Sequence, residues 1–136
     1  MRKNMSHKKE IDDAGFEIRF YEGILEKSPC FIEALCALGD LYTRNGFYRQ
    51  GLDMDERLYQ LRPGDPVVLY NLACSYSLLD EKDKAFRAIK QAIHCGYDDF
   101  EHLEADNDLN NLRRDRRFTR YFERIKARMH SEVIDT

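Results

Sequence analysis

Apolar positions in residues 13–27 recur at helical spacing on two sides at once. Phe16, Phe20 and Ile24 make one i, i+4 stripe, and Ile18, Tyr21 and Leu25 make a second. Together they cover more than the roughly 100° that a surface helix buries. A helix from Asp13 to Lys27 is therefore expected, with two sides that need apolar cover. Ser28-Pro29 breaks it, and a helix from Phe31 to Asn45 follows, closed by Gly46, which tolerates the left-handed conformation after a helix end. Tyr48 to Leu61 is its antiparallel partner, because so short a link leaves room only for a hairpin. Arg62-Pro63-Gly64 ends that pair. Asp65 then offers an N-cap oxygen and Pro66 suits the first helical position of a helix running to Leu79. Asp80 is expected to cap a further helix, Glu81 to Cys95, which stops at Gly96. Beyond it lie a helical turn at Phe100–Glu104, a polar stretch Asp106–Asn111 and a last helix, Asp115 to Arg128. There Phe118, Tyr121, Phe122 and Ile125 form a narrow stripe that predicts a cap over the end of the molecule.

The helices repeat. Leu35, Leu38, Gly39 and Tyr42 recur 34 residues later as Leu69, Leu72, Ala73 and Tyr76, and Pro29 and Pro63 close successive stretches. A helix pair of this size cannot bury its apolar face alone, so neighbours stack into a curved surface suited to holding another protein. The expected fold is all-α.

Composition narrows the class without changing that picture. The 136 residues are 35% charged and 43% hydrophobic, as in a helical globular domain and unlike a disordered or fibrous chain. Met1 to Glu10 has no apolar run of signal or membrane-span length, so a cytoplasmic location is expected. Cys30, Cys36, Cys74 and Cys95 show no CxxC spacing and read as reduced, small hydrophobes. Charge is uneven: +3 over Met1–Glu10, −10 over Ile11–Leu112, +6 over Arg113–Arg128 and −2 over Met129–Thr136. An acidic body thus carries a basic C-terminal helix.

The repeated residues resemble the tetratricopeptide repeat. The first unit reads Leu35, Leu38, Gly39, Tyr42, Gly46, Tyr48, Gly51, Leu58, Pro63; the second reads Leu69, Leu72, Ala73, Tyr76, Ala85, Ile89, Ala92. Asp55 replaces the usual aromatic, Asp80 the usual turn glycine and Tyr97 the usual proline. The segment Asp98 to Phe118 is also similar to the ending of many bacterial proteins of this kind. The resemblance implies a right-handed superhelical stack of antiparallel helix pairs, with a half repeat at 13–28, repeats at 31–63 and 65–97 and a cap at 98–128; residues 1–12, charged and with almost nothing apolar to bury, read as a mobile basic tail, and 129–136 as a second tail. The resemblance also implies a non-catalytic adaptor with no cofactor and a concave ligand groove. Carried over residue by residue, that groove is Glu33, Cys36, Ala37, Asp40 and Thr43 with Val67, Tyr70, Asn71, Cys74 and Ser77. The family's clamp for chaperone C-terminal carboxylates keeps only Asn71 here. Cys36 and Asp40 replace its first Lys and Asn, Glu101 and Ala105 fall near its last pair, and a negative groove repels a carboxylate. A basic or neutral peptide suits it better. Asn71 either bonds a peptide backbone or bridges two helices.

Other chemistry finds little support. Cys36 and Cys74 share a face but lack the further ligands zinc prefers, and His94, Cys95 and His102 do not complete a set. Asp106, Asp108 and Asn110 open like a calcium loop, yet Asn111 replaces the turn glycine and Arg117 the bidentate Glu, so Asp106 and Asp108 read as helix caps. No phosphate loop, HExxH or GxSxG occurs. Two rival partners remain. The basic helix, with Arg113, Arg114, Arg116, Arg117, Arg120, Arg124, Lys126 and Arg128 beside its aromatics, could bind nucleic acid. A chaperone for secreted clients could be built on the same repeat. Finally, the uncovered stripe of the first helix, Phe16, Ile18 and Phe20, suggests a homodimer interface.

Overall fold

A computed structural model describes the backbone of residues 2–135 and the side chains of residues 13–132. Among the described residues eight helices and a 3-10 turn follow one another: α1 (Arg2–Lys27), α2 (Ile32–Arg44), α3 (Tyr48–Leu61), α4 (Pro66–Leu78), α5 (Lys82–His94), α6 (Phe100–Ala105), the turn Asn107–Leu109, α7 (Asn110–Arg113) and α8 (Arg116–Asp135). No strand occurs among them. Helices α1 to α5 pack each against the next as antiparallel neighbours, so the expected stack of a half repeat, two full repeats and a cap is present. No helix of the described residues is long and apolar enough to cross a membrane.

Two ends differ from the sequence reading. The helical backbone of α1 begins at Arg2 and not at Asp13, because nothing in residues 2–12 breaks a helix and Lys, Met and Glu favour one. Met1 and the side chains through residue 12, on which the reading of a tail rests, lie outside the described residues. At the other end α8 continues past Arg128 to Asp135, while Thr136 and the side chains of residues 133–135 lie outside them.

The turns after α2, α4 and α5 close by the same backbone bond. Phe47 N–H donates to Tyr42 O at 2.8 Å and Glu81 N–H to Tyr76 O at 2.9 Å, one repeat apart; Tyr97 N–H donates to Ala92 O at 2.9 Å. This closure needs a left-handed residue just before the donor. Gly46 (φ 84°) and Gly96 (φ 113°) supply it, and so does Asp80 (φ 59°). Asp80 is therefore not the helix cap the sequence suggests; it does the work of the missing turn glycine, a strain that Asp tolerates better than most residues. Asp65 does cap α4, its Oδ1 accepting from Val67 N–H at 2.9 Å and Val68 N–H at 3.3 Å.

Within each unit small residues let the helices meet. A Cβ on Gly39 would lie 3.3 Å from Met54 Cβ, and one on Gly51 would lie 2.6 Å from Thr43 Oγ1. One repeat later the same places hold Ala73 and Ala85, both fully buried. The first core cluster joins Leu25, Leu35, Leu38, Met54 and Leu58; the second joins Leu69, Leu72, Ile89 and Leu103 to Leu109, Leu112, Phe118 and Phe122. The last helix is thus a cap in the packing sense. Phe118 and Phe122 stack at 5.7 Å, Tyr121 meets Phe86 edge-on, and Lys126 reaches Glu104 at 2.6 Å.

Two measurements test these joints. Asp80→Gly relieves the left-handed strain and should raise stability by about 0.5–1 kcal/mol in denaturant titration. Ser77→Ala should lower it by about 1–3 kcal/mol, because buried Ser77 Oγ accepts from Leu112 N–H at 3.1 Å and ties α7 to α4.

Candidate functional site

The concave face holds a groove of about 300 Å³ between α2, α4 and the α6 segment. Of the ten residues expected there, Cys36, Asp40, Thr43, Tyr70, Asn71 and Cys74 line it. Val67 lines an adjoining recess that shares Tyr70, Asn71 and His102 with the groove, and Glu33 and Ala37 line neither. Ser77 has to be removed from the face. It is fully buried because α7 and the 3-10 turn close over that end of α4.

Seven further residues line it beyond those expected, four of them ionisable: Asp55, His102, Asp106 and Asp108. Asp106 anchors the wall. Its Oδ2 accepts from Tyr70 O–H at 2.6 Å and lies 3.3 Å from His102 Nε2, while its Oδ1 accepts from Asp108 N–H at 3.0 Å. The expected capping role of Asp106 is present, but its other oxygen binds α4. No local pattern could reveal this, since Tyr70 and Asp106 are 36 positions apart. Tyr97, at the usual proline position, stacks on the Tyr70 ring at 4.3 Å and only 3° from parallel, which steadies the phenol that Asp106 holds.

Asp55 is the floor. Only 7% exposed, it accepts a short hydrogen bond from Ser75 O–H through Oδ2. Burial pushes its carboxyl up to about 6 against the opposing Ser75 bond, and Glu56 adds to the rise. The Ser75 hydroxyl gives the buried carboxylate a donor where the family has an aromatic. Asp108 is also raised, by burial first and then by Asp106 and Asp40. Carboxylates are thus crowded enough to oppose one another's ionisation.

Cys74, His102 and Asp106 are side by side, but the arrangement is unsuited to a thiol nucleophile. Both the thiol, at 3.7 Å, and the imidazole face the same carboxylate oxygen, and burial followed by Asp106 and Asp108 pushes the Cys74 thiol well above its ordinary value. A reactive cysteine needs the opposite field. Exposed Cys36 is likewise raised, by burial and then Asp55. Among the described residues no three His, Cys, Asp or Glu side chains are placed to hold a metal ion.

The basic C-terminal segment is partly engaged within the chain. Arg113 donates to the carbonyls of Leu103 and Asp106, Arg117 binds Asp83 and Asp115, and Lys126 binds Glu104. Phe118 and Phe122 are buried and cannot stack on bases. The expected dimer residues separate: Phe16 and Phe20 are 67% and 56% exposed, whereas Ile18 turns toward the first core cluster.

Stability should carry the mark of Asp55. A carboxyl raised in the folded state costs stability above about pH 6, and that cost is relieved as pH falls toward its unfolded value of 3.8. Asp55→Asn should therefore stabilise the protein at pH 7.5 by on the order of 2 kcal/mol and flatten the pH dependence of unfolding between 7 and 4.

No family model matches the chain. It is 32% identical over 80 residues to a chloroplastic protein of Arabidopsis thaliana, a match covering 57% of this chain and 24% of the plant protein. Two crystal structures of MamA superpose with a TM-score of 0.59, at 25% and 26% identity, covering 67% and 66% of this chain and 50% and 53% of theirs. The chain therefore spans about half the length of the MamA chains and about a quarter of the plant protein. The plant protein contains tetratricopeptide repeats and MamA has that fold. In its repeated residues and its helix stack, this chain has an all-α fold similar to that of tetratricopeptide-type helical repeat proteins.

Proposed function

We propose that the chain is an adaptor that holds a basic segment of a partner protein in the acidic groove. The observation that carries this is the lining itself: Asp40, Asp55, Asp106 and Asp108 share one concavity in which no lysine or arginine takes part. Such a concavity focuses a negative field and favours a cationic side chain over a neutral or acidic one. Asp40 meets Arg44 at 2.9 Å, but both are well exposed and so weakly coupled that a ligand can compete. Asn71 is exposed on the same wall and its side chain makes no hydrogen bond among the described residues, which suits it to an extended peptide backbone and disfavours the interhelical role. The groove does no chemistry in this reading. It recognises and holds.

Titration with a lysine- and arginine-rich peptide, and with its glutamate-substituted counterpart, tests the reading. Binding of the basic peptide alone is expected, weakening as salt rises. Asp40→Arg with Asn71→Ala should weaken it by roughly tenfold or more. Equal binding of the acidic peptide, or no loss in the variant, would sink the proposal. A nuclease-treated pull-down from cell extract with the same pair of proteins then identifies the partner.

A further inference from the structure

Where the acidic groove ends, a second cavity begins. A recess of about 390 Å³ opens between the start of α4 and the loop that leads from α5 into α6, and it shares Tyr70, Asn71 and His102 with the groove. Part of its lining is apolar, from Pro66 and from Val67, whose side chain is 57% exposed. Part is aromatic. Tyr70 is buried and Tyr97 stacks on it, so half-buried Tyr97 is the ring of the pair that a ligand can reach.

The rim is acidic. Asp98 and Asp99 are exposed, and the side chain of Asp98 makes no hydrogen bond or ion pair among the described residues. Asp99 caps α6 through Oδ1 alone, which accepts from His102 N–H at 3.2 Å. No lysine or arginine lines the recess. Burial first, with Asp99, Cys74 and Asp106 after it, opposes ionisation of the Tyr97 hydroxyl, so negative charge already bears on this wall.

These features together select one kind of side chain. An acidic or neutral group gains nothing from the rim, and an ammonium is a compact, strongly hydrated point charge. A guanidinium is planar and weakly hydrated, and it can stack on a ring while donating to a carboxylate. Its methylene stem suits an exposed valine.

We infer, on the reading of the groove as a peptide site, that the recess is an arginine subsite seating one guanidinium of the bound segment against Tyr97, with Asp98 as its counter-ion. A segment held at Asn71, which both cavities share, presents neighbouring side chains to the two of them. The groove accepts either basic residue; the recess distinguishes arginine from lysine.

Calorimetric titration of the full chain with hexaarginine and with hexalysine tests this. Hexaarginine should bind roughly fivefold tighter or more. Tyr97→Leu should bring the two affinities within about twofold, while Tyr97→Phe, which keeps the ring, should retain the preference. Asp98→Asn should weaken hexaarginine more than hexalysine. Asp40→Arg, which touches the groove and not the recess, should weaken both peptides alike and leave their ratio unchanged. A general loosening of the fold lowers both affinities and cannot imitate a change in their ratio. Equal affinities in the wild type, or a preference that survives Tyr97→Leu, would overturn the subsite and leave the groove standing. Failure of both peptides to bind would overturn the two together.

Discussion

The close approach of the two helices within a unit is the constraint on which the rest depends. Gly39 and Gly51 reach across the α2–α3 contact in opposite senses, one against Met54 and the other against Thr43, and Ala73 and Ala85 hold the same places one repeat on. With the helices this near, leucines on either side are fully excluded from water, which is the main source of stability in so small an array. The same approach brings α3 close enough to the concave face for Asp55 to form its floor. Larger residues at these positions would separate the helices, expose the leucines and open the groove at once.

The groove is consequently a tertiary object with carboxylates from three distant stretches. α2 contributes Asp40, α3 contributes Asp55, and the segment after α6 contributes Asp106 and Asp108. The Tyr70 phenol and its stacked partner Tyr97 hold that last wall in place. Hydrogen bonds to carboxylates fix geometry as well as charge, so Asp55 and Asp106 are held in place by Ser75 and Tyr70.

The cap resolves the apparent contradiction between an acidic body and an arginine-rich end. Three of its cations return to the body, two of them as ion pairs with carboxylates and Arg113 to backbone carbonyls, while its aromatic rings complete the second core cluster. The basic composition of this last segment thus serves first to seal the stack, as terminal repeats must.

The sequence by itself determined the repeat, its period, its helices and the residues that let them approach, because these follow from spacing and size along a continuous stretch of chain. It also singled out Asp55 and Asp80 as departures from the repeat. What each departure does was decided only by the tertiary structure: Asp80 takes a turn conformation usually left to glycine, and Asp55 finds Ser75 on the next helix. Ser77 looks like a groove residue from its position in the repeat, yet α7 covers it; Asp106 looks like a local cap, yet it also binds Tyr70. The burial of Ser77 and the Tyr70 bond of Asp106 each depend on chain more than thirty positions away, and periodicity within a helix carries no information about which distant segment will lie against it.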